Sequence, residues 1–179
     1  MEKCESTSRV YEGRILNLRI DHIVWPDGKK HLREVVEHRG AAAIVPVTQD
    51  KKVVLVRQYR YAVGTELLEI PAGTMEPEET PDKCAARELE EETGYKAREI
   101  KKIMEIFMVP GYSTEKITLY LAEGLAQSKM QTDEDEKINV ETMPFDSALA
   151  KIRSGEIHDA KTICGLLRAS ELLQPMLQS

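Results

Sequence analysis

The sequence lacks the features that mark secreted, disulfide-bonded or membrane-spanning proteins. Its three cysteines, Cys4, Cys84 and Cys164, are odd in number, far apart and without the spacing of a metal site. The N-terminus, MEKCESTSRV, has no apolar core of a signal peptide. Even the apolar run at residues 41–47, AAAIVPV, is far too short to cross a bilayer. We therefore expect a protein of the reducing cytoplasm that does not insert into membranes.

The chain also has no excess of basic residues. Its 25 lysines and arginines stand against 31 acidic residues, which gives a formal net charge of −6 at pH 7. General binders of nucleic acid or of membrane surfaces rely on a positive field, so we expect neither partner. No repeat or low-complexity tract is present, and 179 residues can bury one good core. We expect a single main domain with a small appendage.

What the sequence does contain is a dense acidic motif at residues 73–95, GTMEPEETPDKCAARELEEETGY. Thr80 can cap a helix, Pro81 suits the first turn, and Gly94 can end the helix in a left-handed conformation. Most of the carboxylates in the motif are therefore predicted to lie on one helix that follows a glycine-containing loop.

Three glutamates of this helix project from nearly one face. Glu88 and Glu92 are four residues apart, and Glu91 is three residues from Glu88. Ala85 and Leu89 form a different stripe, which can pack on a sheet while the acids look outward. This arrangement predicts an acidic cluster on the side of the helix that faces away from the core.

The glutamates of this cluster repel one another unless a positive charge lies close to them. Two carboxylates about 5 Å apart at an effective dielectric near 20 repel by roughly 3 kcal/mol. A divalent cation removes that objection, and oxygen ligands without histidine or cysteine favour Mg²⁺, with Mn²⁺ as a substitute, over Zn²⁺. The alternative is a solvated acidic helix, which is the better interpretation for Glu90 because it points well away from Glu88.

The N-terminal region has the pattern of a β-hairpin. Residues 14–25 and 30–38 are strand-like, and the Pro-Asp-Gly-Lys sequence at 26–29 fits a tight turn. Because a two-stranded ribbon is marginal alone, we expect residues 1–39 to form a β arm that leans on the main domain, residues 40–179, or on a second subunit.

The main domain mixes strands and helices. Besides the helix of the motif, we predict strands at 41–47, 52–59, 66–73, 100–107, 116–123 and 138–143. Asp146 is the predicted cap of a helix that ends near Gly155, and Asp159 is the predicted cap of the last helix. Mixed strands with helices on both sides predict an α/β sandwich.

The acidic motif resembles the Nudix box. Gly73, Glu79, the run from Arg87 to Glu92 and Gly94 have its order and spacing, although Tyr95 stands where the pattern has an aliphatic residue. Outside the box, four runs resemble the ADP-ribose pyrophosphatase branch of the Nudix hydrolases: REVVEH at 33–38, VRQYR at 56–60, LEIPAG at 68–73 and VPGYSTE at 109–115. The resemblance implies an α/β/α sandwich with a mixed sheet, hydrolysis of ADP-ribose to AMP and ribose 5-phosphate, and a homodimer that exchanges its N-terminal sheet.

The resemblance also implies roles for the acidic residues. Glu88, Glu92, Glu136 and the backbone carbonyl of Ala72 would hold Mg²⁺. Glu134 would be the base, Glu91 would assist, and Glu79 with Arg87 would orient the cluster. The run of four acids at 133–136 can equally be a solvated loop, and the register of base and ligand within it stays open.

Substrate contacts are implied in the same way. The residues concerned are Ile15, Leu16, Arg33, Glu34, His38, Arg60, Thr74, Pro110, Gly111 and Glu115. An ion pair with a neighbouring glutamate is the alternative for both arginines, and packing of the hairpin is the alternative for Ile15 and Leu16. The same box also serves nucleotide sugars, NADH and dinucleoside polyphosphates, and a Nudix fold can bind ADP-ribose without cleaving it, so these functions remain as alternatives.

Overall fold

A computed structural model of the protein describes residues 1–129 and 137–177. The chain forms two compact units. The first comprises Met1–Gly40 and Phe107–Lys116, and the second comprises Ala41–Ile106 and Ile117–Ser179. The separate domain status of residues 1–39 and 40–179 stays a prediction.

The first unit is built on a three-stranded antiparallel sheet. Its strands are β1 (Lys3–Glu12), β2 (Leu16–Val24) and β3 (Lys30–His38), in that order across the sheet. The predicted hairpin between β2 and β3 is present, and Gly28 in its turn has φ 83°, a backbone angle that favours glycine. Strand β1 was not predicted, because all ten of its residues are exposed and no apolar alternation marks it.

A loop from the second half of the chain completes the first unit. Val36 of β3 donates its N–H to the Tyr112 carbonyl at 2.8 Å and accepts from the Thr114 N–H at 2.9 Å. The His38 N–H donates to the Thr114 hydroxyl at 3.0 Å. These bonds join residues 107–116 to the edge of β3, which brings two of the sequence runs noted above side by side.

The second unit contains two sheets. A four-stranded mixed sheet has the order β7 (Ala72–Thr74), β4 (Ala41–Pro46), β9 (Lys116–Gln127) and β8 (Tyr95–Phe107). In it β4 is parallel to β9 and antiparallel to β7. A three-stranded antiparallel sheet has the order β10 (Ile138–Pro144), β5 (Lys52–Arg60) and β6 (Thr65–Glu69). The strand predicted at 66–73 is therefore two strands, divided at Pro71, which has no N–H to donate to a ladder.

Helices cover both faces of the mixed sheet. Helix α1 (Pro81–Thr93) packs its Cys84, Ala85 and Leu89 on one face, in a cluster with Ala42, Ile44, Tyr120 and Ala122. Helix α3 (Ala160–Leu177) packs Gly165 against Val45 and Ile70, so closely that an added Cβ would lie 2.9 Å from Ile70. Because successive strand residues face opposite sides, Ile44 and Val45 receive α1 and α3 on opposite faces, which confirms the predicted α/β/α sandwich.

The helix ends follow the predicted residues in part. Thr80 occupies the N-cap position of α1, although its side chain makes no capping hydrogen bond, and Gly94 ends the helix with φ 70°. Asp159 caps α3 by accepting the Thr162 N–H at 3.0 Å. The prediction that Asp146 caps helix α2 (Phe145–Ser154) is wrong, because the N-cap is Pro144, at the end of β10, and Asp146 lies inside the first turn.

Among the described residues, no helix is both long enough and apolar enough to span a membrane.

Candidate active site

Two glutamates of α1 are held against strand β7, which precedes the helix. The Ala72 N–H donates to Glu92 Oε2 at 3.0 Å. A Cβ added at Gly73 would lie 1.8 Å from Glu88 Oε1, so the Glu88 carboxylate occupies the space that any other residue would fill at position 73. Glu88 is 9% exposed and Glu92 is 3% exposed. The outward, solvent-facing placement expected for these two acids is therefore wrong: they are buried beside β7.

Arg87 binds the other acids of the motif. Its Nε and Nη2 donate to the two oxygens of Glu79, both at 2.9 Å. Its Nη1 donates to Glu88 at 2.7 Å and to Glu91 at 2.9 Å. One guanidinium thus relieves part of the repulsion that the sequence predicts among the glutamates. Arg87 contacts three of these acids, and with Glu92 counted the four carboxylates of the motif exceed its single positive charge.

The electrostatics of the cluster follow from Arg87. Its hydrogen bonds lower the pKa of Glu79 to about 2, against the opposing effect of burial, with a further contribution from the Glu76 N–H. The same contact with Glu79 raises the pKa of Arg87 above its ordinary value. Both groups remain charged at all physiological pH values, so the orientation of Arg87 does not depend on pH there.

Cys84 lies under the cluster without taking part in its chemistry. The buried thiol donates to the Gly73 carbonyl at 3.4 Å. Burial raises the pKa of Cys84 to about 12, and the nearby charges of Glu79 and Glu88 act in the same direction. The thiol is therefore protonated at neutral pH in the metal-free protein, unlike the low-pKa thiols that act as nucleophiles.

The donor set fits a hard divalent cation better than a soft one. The described residues contain no ready-made group of three or more His, Cys, Asp or Glu side chains that could hold a metal ion. What they offer is two buried carboxylates, Glu88 and Glu92, in an anionic cluster beside the backbone of Ala72 and Gly73. Oxygen donors of this kind suit Mg²⁺ or Mn²⁺. The two acids predicted in the 133–136 run, Glu134 and Glu136, lie outside the described residues.

A second charged network lies at the end of β5. Arg60 donates Nε and Nη2 to the two oxygens of Glu69 at 2.7 and 2.8 Å, and Glu69 is only 1% exposed. Lys161 also donates to Glu69 and pairs with Asp159 at 3.1 Å. The ion pair that was the alternative interpretation of Arg60 is present, and contact of Arg60 with a substrate stays a prediction. Glu69 was not identified from the sequence. Its position within the otherwise apolar run LLEI could have indicated a buried carboxylate with a cationic partner.

Several predicted substrate residues meet at one cavity of the first unit. Arg33, Glu34, Pro110 and Gly111 line a cavity of about 430 Å³ between β3 and the 107–116 loop. Arg33 pairs there with Glu2 at 2.5 Å. These residues come together in the fold although the sequence separates them widely.

Other predicted residues lie at a second cavity of the same unit. Ile15 and His38 line a space of about 310 Å³, together with Arg14 and Arg39. Leu16 begins β2 and is exposed. The Glu115 N–H donates to the Ser113 hydroxyl at 3.1 Å, as part of the 107–116 loop.

Of the remaining predicted substrate residues, Thr74 ends β7 in the second unit, where its carbonyl accepts from Arg87 at 3.4 Å. Outside the predicted residues, Trp25 packs on His31, with ring centroids 4.4 Å apart.

Comparison with known proteins gives consistent matches over most of the chain. Residues 37–165 match the family model described as NUDIX domain. An ADP-ribose pyrophosphatase from Bacillus subtilis (strain 168) is 37% identical over 177 residues, which cover 97% of this chain and 96% of that protein. A methanol dehydrogenase activator from Bacillus methanolicus is 38% identical over 164 residues, covering 90% and 89%. A GDP-mannose pyrophosphatase from Cronobacter sakazakii is 40% identical over 144 residues, covering 75% of each chain.

A solved structure described as an ADP compounds hydrolase has the same fold. It superposes with a TM-score of 0.86 over 98% of this chain and 95% of that chain, at 22% sequence identity. The three sheets and three helices described above therefore form an architecture already seen in a crystal structure.

Proposed function

Since the chain belongs to the Nudix domain family and is a Nudix hydrolase, we propose that it hydrolyses the diphosphate of ADP-ribose, with Mg²⁺, to AMP and ribose 5-phosphate. The observation that carries the proposal is the pair of buried carboxylates, Glu88 and Glu92, held beside the backbone of Ala72 and Gly73 in a cluster that keeps negative charge after Arg87 is counted. An anionic substrate cannot approach such a cluster unless a cation lies between them.

In this proposal Glu88, Glu92, the carbonyl of Ala72 and Glu136 would hold the metal. A bound divalent cation neutralises phosphate charge and lowers the pKa of a water molecule. Arg87, fixed by Glu79, keeps Glu88 and Glu91 in place by direct hydrogen bonds. Glu134 is the proposed base that takes the proton of the attacking water, a contribution of about 10²–10⁴-fold in rate.

The substrate side of the proposal rests on the predicted contact residues. The cavity lined by Arg33, Glu34, Pro110 and Gly111 has the size of a small-ligand site and carries both charge signs. We propose that it contributes to holding the adenosine end, with Ile15, Leu16 and His38 as further contacts, and that Arg60, Thr74 and Glu115 contact the rest of the substrate.

We also propose that the protein is a cytoplasmic homodimer that exchanges its N-terminal sheet. Strand β1 supports this, because all ten of its residues are exposed and Val10 and Tyr11 present apolar surface there. A thin sheet of this kind gains stability from a partner. Light scattering after size exclusion tests the dimer, and a monomeric mass at micromolar concentration would contradict it.

The decisive experiment measures Mg²⁺-dependent cleavage of ADP-ribose, GDP-mannose, NADH and diadenosine polyphosphates by one preparation, with products identified by chromatography. We expect AMP and ribose 5-phosphate from ADP-ribose at the highest kcat/KM, and no cleavage after chelation. Preferred cleavage of GDP-mannose, the substrate named for one relative, would move the protein to nucleotide sugars. Tight binding of ADP-ribose without cleavage would instead indicate a sensor.

The base is tested separately with Glu134→Gln. We expect a lower kcat with Mg²⁺-dependent ligand binding retained, because the proposed metal ligands are unchanged. Full activity of this variant would move the base to another acid of the 133–136 run.

A further inference from the structure

Buried Glu69 has more counter-charge than one carboxylate requires. Its two oxygens receive Nε and Nη2 of Arg60, and Lys161 adds a third donor. Burial raises the pKa of such a group, but the hydrogen bonds from Arg60 and the charge of Lys161 outweigh burial and hold the pKa of Glu69 below its ordinary value. Glu69 is therefore a fixed anion between two cations.

Lys161 is itself anchored by the first turn of α3. It pairs with Asp159, the residue that caps the helix. Thr162, the next residue, donates its hydroxyl to Asp159 at 2.5 Å and accepts the Ile70 N–H at 2.9 Å. Ile70 lies two residues before Ala72, so the start of α3 is tied directly to the segment that carries the proposed metal site.

The contacts with Glu69 leave one edge of Arg60 available. Glu69 occupies the Nε and Nη2 edge, and among the described residues no hydrogen bond uses Nη1. The Arg60 side chain is 38% exposed, and the charge of Glu92 is close enough to affect it. An arginine held along one edge can still bind an oxyanion with its two Nη groups, which form a second donor edge.

We propose that Lys161 is a positioning residue: it offsets the negative charge of Glu69, so that the positive charge of Arg60, which Glu69 holds by two hydrogen bonds, attracts the diphosphate of the substrate. This inference rests on the proposed function and extends it to a residue that does not touch the substrate. With Lys161 present, the two cations balance Glu69 and Asp159. Without Lys161 the same group carries a net negative charge, which opposes an anionic ligand at Arg60.

The test compares KM and kcat for ADP-ribose in Lys161→Met and in the matched control Lys151→Met. Lys151 also donates to a glutamate, Glu156 at 2.5 Å, but it lies on α2 and contacts none of the network residues. We expect Lys161→Met to raise KM by about tenfold with little change in kcat, because a binding interaction is weakened before the chemical step. Lys151→Met should match the wild type.

A double-mutant cycle separates positioning from a structural role. In an Arg60→Gln background, Lys161→Met should change KM no further, because the residue through which it acts is gone. The same KM increase in both backgrounds, or a fall in kcat at unchanged KM, overturns the inference. If Lys161→Met does not fold, Lys161→Gln replaces it in both arms.

Failure of the proposed function gives a different result. A wild-type protein that neither binds nor cleaves any of the nucleoside diphosphate compounds overturns that proposal and this inference together. An active wild type with additive variants overturns only the inference.

Discussion

Replacing Gly73 by alanine is the sharpest test of the proposed metal site. The new Cβ would lie 1.8 Å from Glu88 Oε1 and 2.0 Å from Glu88 Cδ. To reach the 3.4 Å of an ordinary contact, the carboxylate must retreat by about 1.6 Å. Gly73 has no positive φ, so alanine brings no backbone strain of its own. The three atoms nearest to the new Cβ all belong to Glu88, so the main effect is expected through this side chain.

The size of the expected effect follows from the hydrogen bond of Glu88 with Arg87 and from its proposed role as a metal ligand. Its 2.7 Å hydrogen bond with Arg87 is a charged one, whose loss costs about 1.5–3 kcal/mol of folding free energy. In metalloproteins, mutation of a residue that supports a metal ligand typically weakens metal binding by about 10–100-fold. Displacement of Glu88, a proposed ligand itself, is expected to weaken Mg²⁺ binding by at least as much. We expect Gly73→Ala to remain folded, to lose most of its activity and to require far more Mg²⁺.

Three measurements check this prediction: thermal unfolding, Mn²⁺ titration calorimetry and kcat as a function of Mg²⁺ concentration. The control is the same substitution in a Glu88→Ala background, where the collision partner is absent and Gly73→Ala should no longer affect stability. Wild-type Mn²⁺ affinity and kcat in Gly73→Ala would refute the placement of Glu88 as a metal ligand against the loop.

Three further predictions concern single side chains. Glu92→Gln should abolish turnover with the fold intact by circular dichroism, whereas Glu90→Gln on the same helix should retain activity, because the Glu90 carboxylate pairs with Lys96 and accepts from Ser128, away from the proposed metal ligands; equal activity of the two variants would contradict the metal assignment. Glu79→Gln should be less stable than the wild type at neutral pH, by about 2 kcal/mol after allowance for solvent screening. Because the pKa of Glu79 is depressed, its contribution to the free energy of unfolding is present above pH 4.5 and is lost as the pH falls toward about 2. Denaturant titrations should therefore show the stability difference between wild type and variant shrinking between pH 4.5 and about 2, and staying constant above pH 4.5. Exposed Cys4 should react with a maleimide at pH 7 while buried Cys84, with its pKa of about 12, stays unmodified in the native protein, as mass spectrometry can check; rapid labelling of Cys84 would show that the packing under α1 opens.

The parts of the fold that the sequence predicted are those specified by local residues. Helix α1 could be placed because Pro81 and Gly94 mark its ends, and the hairpin could be placed because its turn contains Gly28. Strand β1 gave no such indication, since a strand exposed at every position has no periodicity to detect. Asp146 was assigned as a cap by residue type alone, without regard to the strand that runs up to Pro144.

The candidate site likewise has local contacts, which the sequence predicts, and long-range contacts, which it does not. The contacts of Arg87 with Glu88 and Glu91 are between neighbours on one helix, so the spacing of the motif is enough to predict them. The bond between Lys161 and Glu69 joins residues 92 positions apart, on different elements. No local pattern specifies a contact of that kind, because it depends on how α3 packs against β6.

The geometry also explains why one acid of the motif has a supporting role. Glu79 receives two hydrogen bonds from Arg87 and a third from the Glu76 N–H at 3.0 Å. Its pKa of about 2 reflects a carboxylate engaged through both oxygens, so metal binding by Glu79 would first require breaking these bonds. Glu92 is held differently: it is more deeply buried, and it accepts a hydrogen bond from the Ala72 N–H of β7 at 3.0 Å. Arg87 and Glu79 therefore anchor each other, whereas Glu92 is anchored to the backbone of β7.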